Sequence, residues 1–279
     1  MRKILRTLLT EVDEAVFPSS IYCVCCGALI DRTRTYSLCD TCMDRFHWIT
    51  GRTCEKCGKA MPETSRGRLC YDCMQQEHFF RKGFSCLTYG LYERQLMMDL
   101  KYAGKGYLAR IFGDVMYERM EWEELDPDLI VPVPVSEGRL QKRGYNQSLI
   151  MARRLAQRWR SEREHAPALW PRMLRRTRET RMLRSLNPTE RRMALKGAFD
   201  VPPGLKQTLE GRSVLLVDDI YTTGATADAC SLALLEGGAS EVFLLTLASG
   251  GNRRPEGMGP ESPEPEGMGL EHRSGSGLP

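Results

Sequence analysis

Short apolar runs alternate with amphipathic segments along the central and C-terminal parts of this 279-residue chain. The runs are too short for helices and predict strands that are buried on both faces, as in a parallel sheet. Apolar residues at spacings of three and four predict helices between them, the first of which should bury Leu91, Leu96, Met97 and Leu100 on one face. The pattern is typical of an α/β protein with a mostly parallel sheet flanked by helices. The predicted strands are 84–89, 129–131, 214–217 and 241–248, and the predicted helices are 91–101, 108–120, one that ends near 163, and 227–235.

The two ends of the chain have different patterns. Residues 1–18 are basic and partly apolar and predict an amphipathic helix; a long apolar core and a small-residue cleavage site are missing, so we do not predict a signal peptide. No apolar run approaches the roughly 20 residues of a membrane helix, and a cytoplasmic protein is the default expectation. Residues 250–279 are dominated by Gly, Pro, Glu and Ser, which predicts a disordered tail.

Composition adds a charge asymmetry to this picture. With 42% hydrophobic and 27% charged residues, the chain has the balance of a globular protein, and its formal net charge is +4. Basic residues greatly outnumber acids between Arg139 and Lys196. Such a segment suits an anionic partner, either a polyphosphate substrate or a nucleic acid. A solvated helix face accounts for many of the same charges equally well.

Eight of the eleven cysteines form four C-x-x-C pairs before residue 75. Both halves of this region have the spacing C-x2-C-G-x11-C-x2-C, so the segment is a tandem repeat. The predicted metal ligands are Cys23, Cys26, Cys39 and Cys42 in the first half, and Cys54, Cys57, Cys70 and Cys73 in the second.

A C-x-x-C pair brings two thiolates to one metal, and two pairs complete the tetrahedral four-sulfur set that suits Zn²⁺. A closed sulfur shell leaves no open position, so the predicted zinc is structural, and the predicted zinc-binding domain covers 19–80. A disulfide framework is the rival and belongs to secreted proteins. Sequential and cross-braced pairing have the same spacing and both stay open, as does a substitution of Cys25 for a neighbouring ligand.

Strand 214–217 runs directly into two acids, Asp218 and Asp219, and then into a short loop before the next helix. A loop at the carboxyl end of a buried strand is where open α/β sheets bind ligands. Glycine lets the backbone approach a ligand closely, and the helix start offers free N–H groups to a phosphate. The acids suit sugar hydroxyls or a hydrated Mg²⁺. The predicted phosphate loop consists of Thr222, Thr223, Gly224, Ala225 and Thr226.

This segment resembles the motif with which type I phosphoribosyltransferases bind phosphoribosyl pyrophosphate (PRPP), an apolar strand followed by D-D-x-x-T-T-G-x-T. The resemblance implies a type I phosphoribosyltransferase fold over 83–249. It also implies that Asp218 and Asp219 face the ribose 2′ and 3′ hydroxyls, that the loop 222–226 wraps the 5′-phosphate, and that Mg²⁺ accompanies PRPP.

A second set of motifs narrows the resemblance. V-P-V-P over 131–134 is followed by R-x-x-x-R-G-Y-N-Q over 139–147, a basic segment that we predict to be a loop entering a helix. Together with the C-x-x-C pairs and the PRPP motif, these elements resemble the ComF family of phosphoribosyltransferase-like proteins from about 23 to 247. By analogy, Val135 and Ser136 belong to a loop that binds pyrophosphate, and Lys101, Arg139 and Arg143 match family positions near the site.

In related transferases a flexible lid follows the position of Leu174 and closes over pyrophosphate. The resemblance implies that Arg178, or its neighbours Arg175 and Arg176, covers the pyrophosphate. The chain departs from the family pattern where Leu183 replaces Gln and Ala194 replaces Asn. The sequence therefore supports PRPP binding more strongly than catalytic turnover of PRPP.

The resemblance implies a Mg²⁺-dependent phosphoribosyltransferase with a role in DNA uptake during natural transformation. The alternative is a non-catalytic competence factor that binds single-stranded DNA and uses PRPP as a ligand. A third possibility is a zinc scaffold with an inactive transferase fold. The acceptor substrate and the oligomeric state leave no signature in the residues.

Overall fold

The computed structural model describes residues 21–31, 33–102, 106–123, 125–178 and 188–251, without the side chains of 188, 189, 191 and 192. The N-terminal helix predicted over 1–18 lies outside these residues, as does nearly all of the predicted tail 250–279. Leu183 also lies outside them. Within the described ranges, none of the helices combines the length and the apolar character that a membrane span requires.

The core of the protein is a five-stranded sheet in which every neighbouring pair of strands is parallel. The strands are β1 (Lys82–Thr88), β2 (Leu129–Pro132), β3 (Ala168–Leu169), β6 (Ser213–Tyr221) and β7 (Glu241–Ser249), and the separate antiparallel pair is β4 (Arg175–Arg176) with β5 (Phe199–Asp200). Their order in the sheet is β1-β7-β6-β2-β3. The predicted α/β class with a mostly parallel sheet is confirmed.

Helices follow most strands and cover the sheet. They are α1 (Asp40–Arg45), α2 (Tyr71–Gln75), α3 (Leu91–Tyr102), α4 (Leu108–Glu121), α5 (Glu137–Arg143), α6 (Gln147–Glu162), α7 (Pro188–Leu195), α8 (Lys206–Leu209) and α9 (Ala225–Glu236), with two single 3₁₀ turns at Thr35–Ser37 and Pro203–Leu205. The four long helices lie within two residues of the predicted bounds.

Two local predictions are wrong. Leu91 is 86% exposed, because it is the first residue of α3 and precedes the face that buries Leu96, Met97 and Leu100. The segment 139–147 is not a loop throughout, since residues up to Arg143 form the short helix α5. That helix ends at Gly144, whose φ of 77° is a left-handed conformation that glycine adopts without steric cost.

Strand β6 is longer than predicted. Its apolar part, Val214–Val217, is fully buried, as expected, but strand pairing continues through both acids to Tyr221. Asp218 lies opposite Thr246 of β7 in the ladder, because β7 extends far enough to offer partners beyond the apolar run. Tertiary pairing thus overrides the low strand propensity of aspartate. The acids are fixed by the sheet rather than by a loop.

The two faces of the sheet bury two separate hydrophobic clusters. Leu215 and Val217 of β6 lie in one cluster with α4 and α6, and the alternate residues Val214 and Leu216 lie in the other with α9. This alternation follows from the two-residue period of a strand. The first cysteine group joins the first cluster, and the second group joins the second.

The cysteine-rich region packs against strand β1, at the edge of the sheet. Trp48 forms an antiparallel bridge with Leu87, and the N–H of Ile49 donates to the carbonyl of Cys86. The second cysteine group approaches β1 even more closely, since the N–H of Gly83 donates to the carbonyl of Lys56 at 2.7 Å. The region therefore covers the edge strand, which otherwise exposes unpaired backbone groups.

Glycines make this close approach possible, and the tandem repeat supplies a matched control. Gly58 and Gly27 are equivalent in the repeat and have φ values of 71° and 74°. A Cβ on Gly58 would lie 2.4 Å from the carbonyl oxygen of Gly83, whereas nothing lies within 4 Å of a Cβ on Gly27.

We expect Gly27→Ala to cost about 1 kcal/mol, because it meets only the strain of a positive φ. Gly58→Ala should cost at least about 2 kcal/mol, since it adds an overlap with the backbone of β1. Thermal unfolding of the two variants beside the parent protein measures the difference. Equal losses of stability would contradict the close docking of the second cysteine group.

Candidate functional site

Each half of the cysteine repeat gathers its own four sulfurs. All four Sγ atoms of a group lie within 4.8 Å of one another, and the groups are Cys23, Cys26, Cys39 and Cys42, and Cys54, Cys57, Cys70 and Cys73. The pairing is therefore sequential, and the cross-braced alternative is wrong. Cys25 belongs to neither group, so it does not substitute for a ligand.

The distances between sulfurs fit zinc. The Sγ atoms of Cys26 and Cys39 are 3.6 Å apart, and the equivalent pair in the second group has the same separation. Zn–S bonds of about 2.3 Å in a tetrahedron place sulfurs roughly 3.8 Å apart, whereas a disulfide requires about 2.05 Å. All eleven cysteines are free. The two groups are structural Zn²⁺ sites, as the spacing predicted.

The two zinc sites differ in exposure. All four ligands of the second site are buried, whereas Cys26 of the first site is exposed and Cys39 is partly so. Two further thiols, Cys86 and Cys230, are buried in the core. The second zinc site is thus the more enclosed of the two.

A cavity of about 420 Å³ opens at the carboxyl ends of β2 and β6. This is the edge at which parallel α/β sheets bind ligands, and the volume lies in the range of small-molecule sites. The predicted site residues that line it are Lys101, Val135, Arg139, Arg143, Asp218, Asp219, Thr222, Thr223, Gly224, Ala225 and Thr226.

Two helices converge on the two acids. Lys101, in the last turn of α3, places Nζ 2.5 Å from Oδ2 of Asp219, and Nε2 of Gln147 donates to the same oxygen at 3.0 Å. Oγ of Ser148 donates to Oδ1 of Asp218 at 3.1 Å, and the backbone N–H of Asp219 donates to that oxygen at 2.9 Å. Helices α3 and α6 are thereby tied to β6 at this point.

The pKa values of the two neighbouring carboxyls are shifted in opposite directions. Burial, reinforced by the charge of Asp219, raises the pKa of Asp218 to about 7. Burial also acts to raise the pKa of Asp219, but attraction and hydrogen bonding by Lys101 outweigh it, and this pKa lies below its usual value. At neutral pH, Asp219 carries the charge that pairs with Lys101, and Asp218 exchanges a proton readily.

The loop after β6 has the geometry expected of a phosphate cradle. Gly224 is the N-cap of α9 with φ 81°, so the chain turns sharply into a helix whose first N–H groups face the cavity edge. A Cβ at Gly224 would lie 2.8 Å from Cε1 of His78 and 2.9 Å from the hydroxyl of Tyr221. Only glycine fits here, both by conformation and by space.

Basic residues lie on the opposite side of the cavity, on and next to α5. Nη1 of Arg143 donates to Oε1 of Gln147 at 3.2 Å, and its guanidinium stacks over the ring of Tyr102 at 5.2 Å. The Nε of Arg143 is buried without a hydrogen-bond partner among the described residues. Asn146 caps α6 and holds the carbonyl of Val133, which fixes the proline loop to this helix.

Two predicted site residues do not line the cavity. Ser136 is nearly buried and is the N-cap of α5. Arg178 donates to the carbonyls of Ala194 and Lys196, which holds it against the end of α7. Arg175 forms a two-pronged ion pair with Asp200 at 2.7 Å, whereas Arg176 lines the cavity.

Sequence reasoning missed several residues of the site. Ser148 is a polar residue buried at the start of an amphipathic helix, and this conflict with the helical pattern is a signal that could have marked it. Tyr89 and Met98 line the cavity, but they belong to a strand end and a helix face that look ordinary in the sequence. His78 and Asp228, discussed below, were missed as well.

Comparisons with known proteins agree with this arrangement. Residues 12–90 match a family model described as a double zinc ribbon domain. The chain is 35% identical over 122 residues to Competence protein F of Haemophilus influenzae, covering 44% of this chain and half of that protein. It is 27% identical over 217 residues to Competence protein ComFC of Bacillus subtilis, covering 75% of this chain and 83% of that protein. The chain is thus similar to two competence proteins, and to ComFC over most of its length.

Other matches of this chain are partial. It is 30% identical over 161 residues to the DNA utilization protein YhgH of Escherichia coli, covering 54% of this chain and 65% of that protein. The chain thus spans half to two thirds of the length of these first relatives. A glutamine PRPP amidotransferase from Bacillus subtilis is 17% identical with a TM-score of 0.36, covering 53% of this chain and 30% of that one.

Because the pKa values of Asp218 and Asp219 are shifted in opposite directions, a variant of each acid serves as the control for the other. Between its usual value of 3.8 and about 7, Asp218 binds more protons in the folded state than in the unfolded state. Its contribution to stability is therefore lost as pH rises through this window. Asp218→Asn removes this loss, so we expect its Tm to exceed that of the parent by at least about 3 °C at about pH 8, a difference that shrinks toward pH 4.

Asp219→Asn should behave in the opposite way. Its pKa is lowered in the folded state, so the stability that it contributes is present at neutral pH and is lost as the pH falls below the usual value. The variant leaves Lys101 without its partner and should melt below the parent at about pH 8. Thermal scans across pH measure both, and a change of the same sign in the two variants would contradict the assignment.

Proposed function

We propose that this chain is a ComF-family protein that binds PRPP together with Mg²⁺ and acts as a phosphoribosyltransferase. The observation that carries the proposal is the single cavity in which an acid pair, a glycine-capped Thr loop and basic side chains meet at the carboxyl edge of a parallel sheet. A phosphorylated sugar with a second anionic group offers complementary chemistry at each of these places. The proposal extends to a role in DNA uptake, which the relatives named for competence and DNA utilization support.

Different residues of the cavity contact different parts of PRPP. The loop 222–226 supplies hydroxyls and helix N–H groups for the 5′-phosphate. Asp218 and Asp219 accept hydrogen bonds from the ribose hydroxyls, and the loop at Val135 with Arg139 and Arg143 faces the pyrophosphate. The buried, unpartnered Nε of Arg143 is a donor that an anionic oxygen in this cavity would satisfy.

The reaction proceeds at ribose C1. The bond from C1 to pyrophosphate oxygen breaks as a bond from C1 to the acceptor forms, through an oxocarbenium-like state, and the acceptor loses a proton. Mg²⁺ bound with PRPP neutralises charge on the leaving pyrophosphate. The chain contributes by orienting the ribose and by presenting fixed donors where negative charge develops. Arg176, which lines the cavity, is the lid residue placed best for this task.

Isothermal titration tests the binding step. PRPP should bind the parent protein only in the presence of Mg²⁺, and Asp219→Asn should weaken binding at least about tenfold because it removes a charged acceptor for the ribose hydroxyls. Asp114→Asn is the matched control, since Asp114 pairs with Arg154 and Arg158 on α4 and α6 away from the cavity.

The control variant should bind PRPP as the parent does. Absence of Mg²⁺-dependent heat in the parent protein would overturn PRPP binding. Release of pyrophosphate in the presence of a panel of nucleobases and amines then separates a transferase from a protein that only binds PRPP.

The second candidate is a single-stranded DNA-binding protein that uses PRPP as a ligand. The observation in its favour is the set of relatives named for DNA utilization and competence, together with the excess of basic residues between Arg139 and Lys196. Several of these charges are engaged within the fold, including Arg154 and Arg158 with Asp114. Lys142 on α5 is exposed and Arg139 on the same helix is partly exposed, so both stay available to phosphates.

A mobility shift of labelled single-stranded DNA tests this candidate. Binding that relies on phosphate contacts falls steeply with salt, and Lys142→Gln should reduce the slope of log K against log salt by about 0.7. Lys142→Gln leaves Asp219 and Asp228 unchanged, so PRPP binding should survive in this variant. A lack of any shift at low salt would remove DNA binding from the proposed function.

A further inference from the structure

A buried histidine connects the second zinc site to the phosphate loop. His78 follows helix α2, which contains the zinc ligand Cys73 and has the ligand Cys70 as its N-cap, and the side chain of His78 is fully buried. Its Nδ1 lies 3.0 Å from both carboxylate oxygens of Asp228, and its Nε2 lies 3.2 Å from the hydroxyl of Tyr221. The ring stacks on Phe80 with 4.9 Å between centroids, which fixes its orientation.

The two partners of His78 bracket the phosphate loop. Tyr221 is the last residue of β6 and immediately precedes the loop 222–226. Asp228 lies in the first turn of α9, and its N–H donates to the carbonyl of Gly224 at 2.7 Å. The histidine therefore holds both ends of the loop at once. The backbone between them passes so close to the ring that a Cβ at Gly224 would overlap it.

Asp228 also receives the segment that leaves the zinc site. Nε2 of Gln76 donates to its Oδ2 at 3.0 Å, and the N–H of Phe79 approaches its Oδ1 at 3.3 Å. Donors from one neighbouring segment face both oxygens of this buried carboxylate. The position of the carboxylate therefore depends on the position of that segment. Few other roles fit this carboxylate, because it is 6% exposed and does not line the cavity.

A second contact joins the same two regions. Lys59, which is 2% exposed, pairs with Asp72 of α2 and lies 5.4 Å from the ring centre of Tyr221. Helix α2 has only five residues, and its N-cap is the ligand Cys70. So short a helix is not stable alone, and metal binding supplies the energy that orders such segments.

We propose that zinc in the second site sets the position of the phosphate loop, with His78 and Asp228 as the positioning residues that transmit it. The first zinc site does not share this role. Its region contacts the other hydrophobic cluster, where Tyr36 stacks on Trp48 and its hydroxyl donates to Glu118 of α4. The inference rests on the proposed function only where PRPP binding is the readout.

The first experiment needs no ligand. Hydrogen exchange of the full-length, zinc-loaded protein is followed in a peptide that covers 222–228, with amides of β7 as the internal reference. Cys73→Ser should speed exchange in 222–228 about tenfold, whereas Cys42→Ser, its counterpart in the repeat, should leave this peptide unchanged. Zinc content by mass spectrometry should fall from two to one per chain in each variant.

The second experiment removes the connection and keeps the metal. Asp228→Asn places an amide donor among three donors. The variant should therefore exchange faster in 222–228 and bind PRPP about tenfold more weakly. It should retain two zinc ions. His78→Asn keeps a donor where Nδ1 lies and should restore PRPP affinity to within about threefold of the parent, unlike His78→Ala. Tyr36→Phe, which breaks a contact of the first half of the repeat, should change neither the exchange in 222–228 nor the PRPP affinity.

The outcomes separate this inference from the proposed function. A parent protein that does not bind PRPP contradicts the proposed function, and the exchange data still test the coupling. Unchanged exchange in 222–228 in both Cys73→Ser and Asp228→Asn overturns the coupling, as does a uniform rise that includes β7.

Discussion

The acid pair on β6, in which Asp219 is buried and Asp218 is partly buried, is the constraint around which this α/β domain is arranged. A carboxylate pair enclosed by protein is costly unless charges and donors compensate it. Lys101 comes from α3, and Gln147 and Ser148 come from α6, so two helices on separate parts of the chain must end or begin at this point. The cavity exists because these helices are fixed there. Its polar lining is a consequence of the same requirement.

The acids have this effect because they lie inside the sheet. Pairing with β7 continues past the apolar run, and both side chains therefore have the fixed positions of strand residues. Adjacent strand residues point to opposite faces, which separates the two carboxyls and gives each its own partners. The difference in their pKa shifts follows, since Lys101 reaches Asp219 and only neutral donors reach Asp218.

The parts of the structure that are local in sequence were predictable. Cysteine spacing gave the metal ligands, apolar runs gave the central strands, and the D-D-x-x-T-T-G-x-T segment gave the loop that the cavity contains. Contacts between distant segments were not predictable, because spacing carries no information about them. His78 and Asp228 are 150 positions apart and look ordinary in the sequence. Arg178 has the residue type expected of a lid, but tertiary contacts hold it against α7.

The tandem repeat illustrates how similar local sequences acquire different roles from their surroundings. Gly27 and Gly58 share spacing and backbone conformation, yet only Gly58 lies against another backbone. The ligands of the second zinc site are buried in a segment that packs on β1 and in one cluster with Tyr221, whereas the first site stays partly open. A metal site enclosed by the sheet edge and by the end of β6 cannot shift without moving its neighbours, since close-packed interiors transmit displacement. The second half of the repeat is therefore part of the frame of the α/β domain, and its zinc belongs to the same structural unit as the cavity.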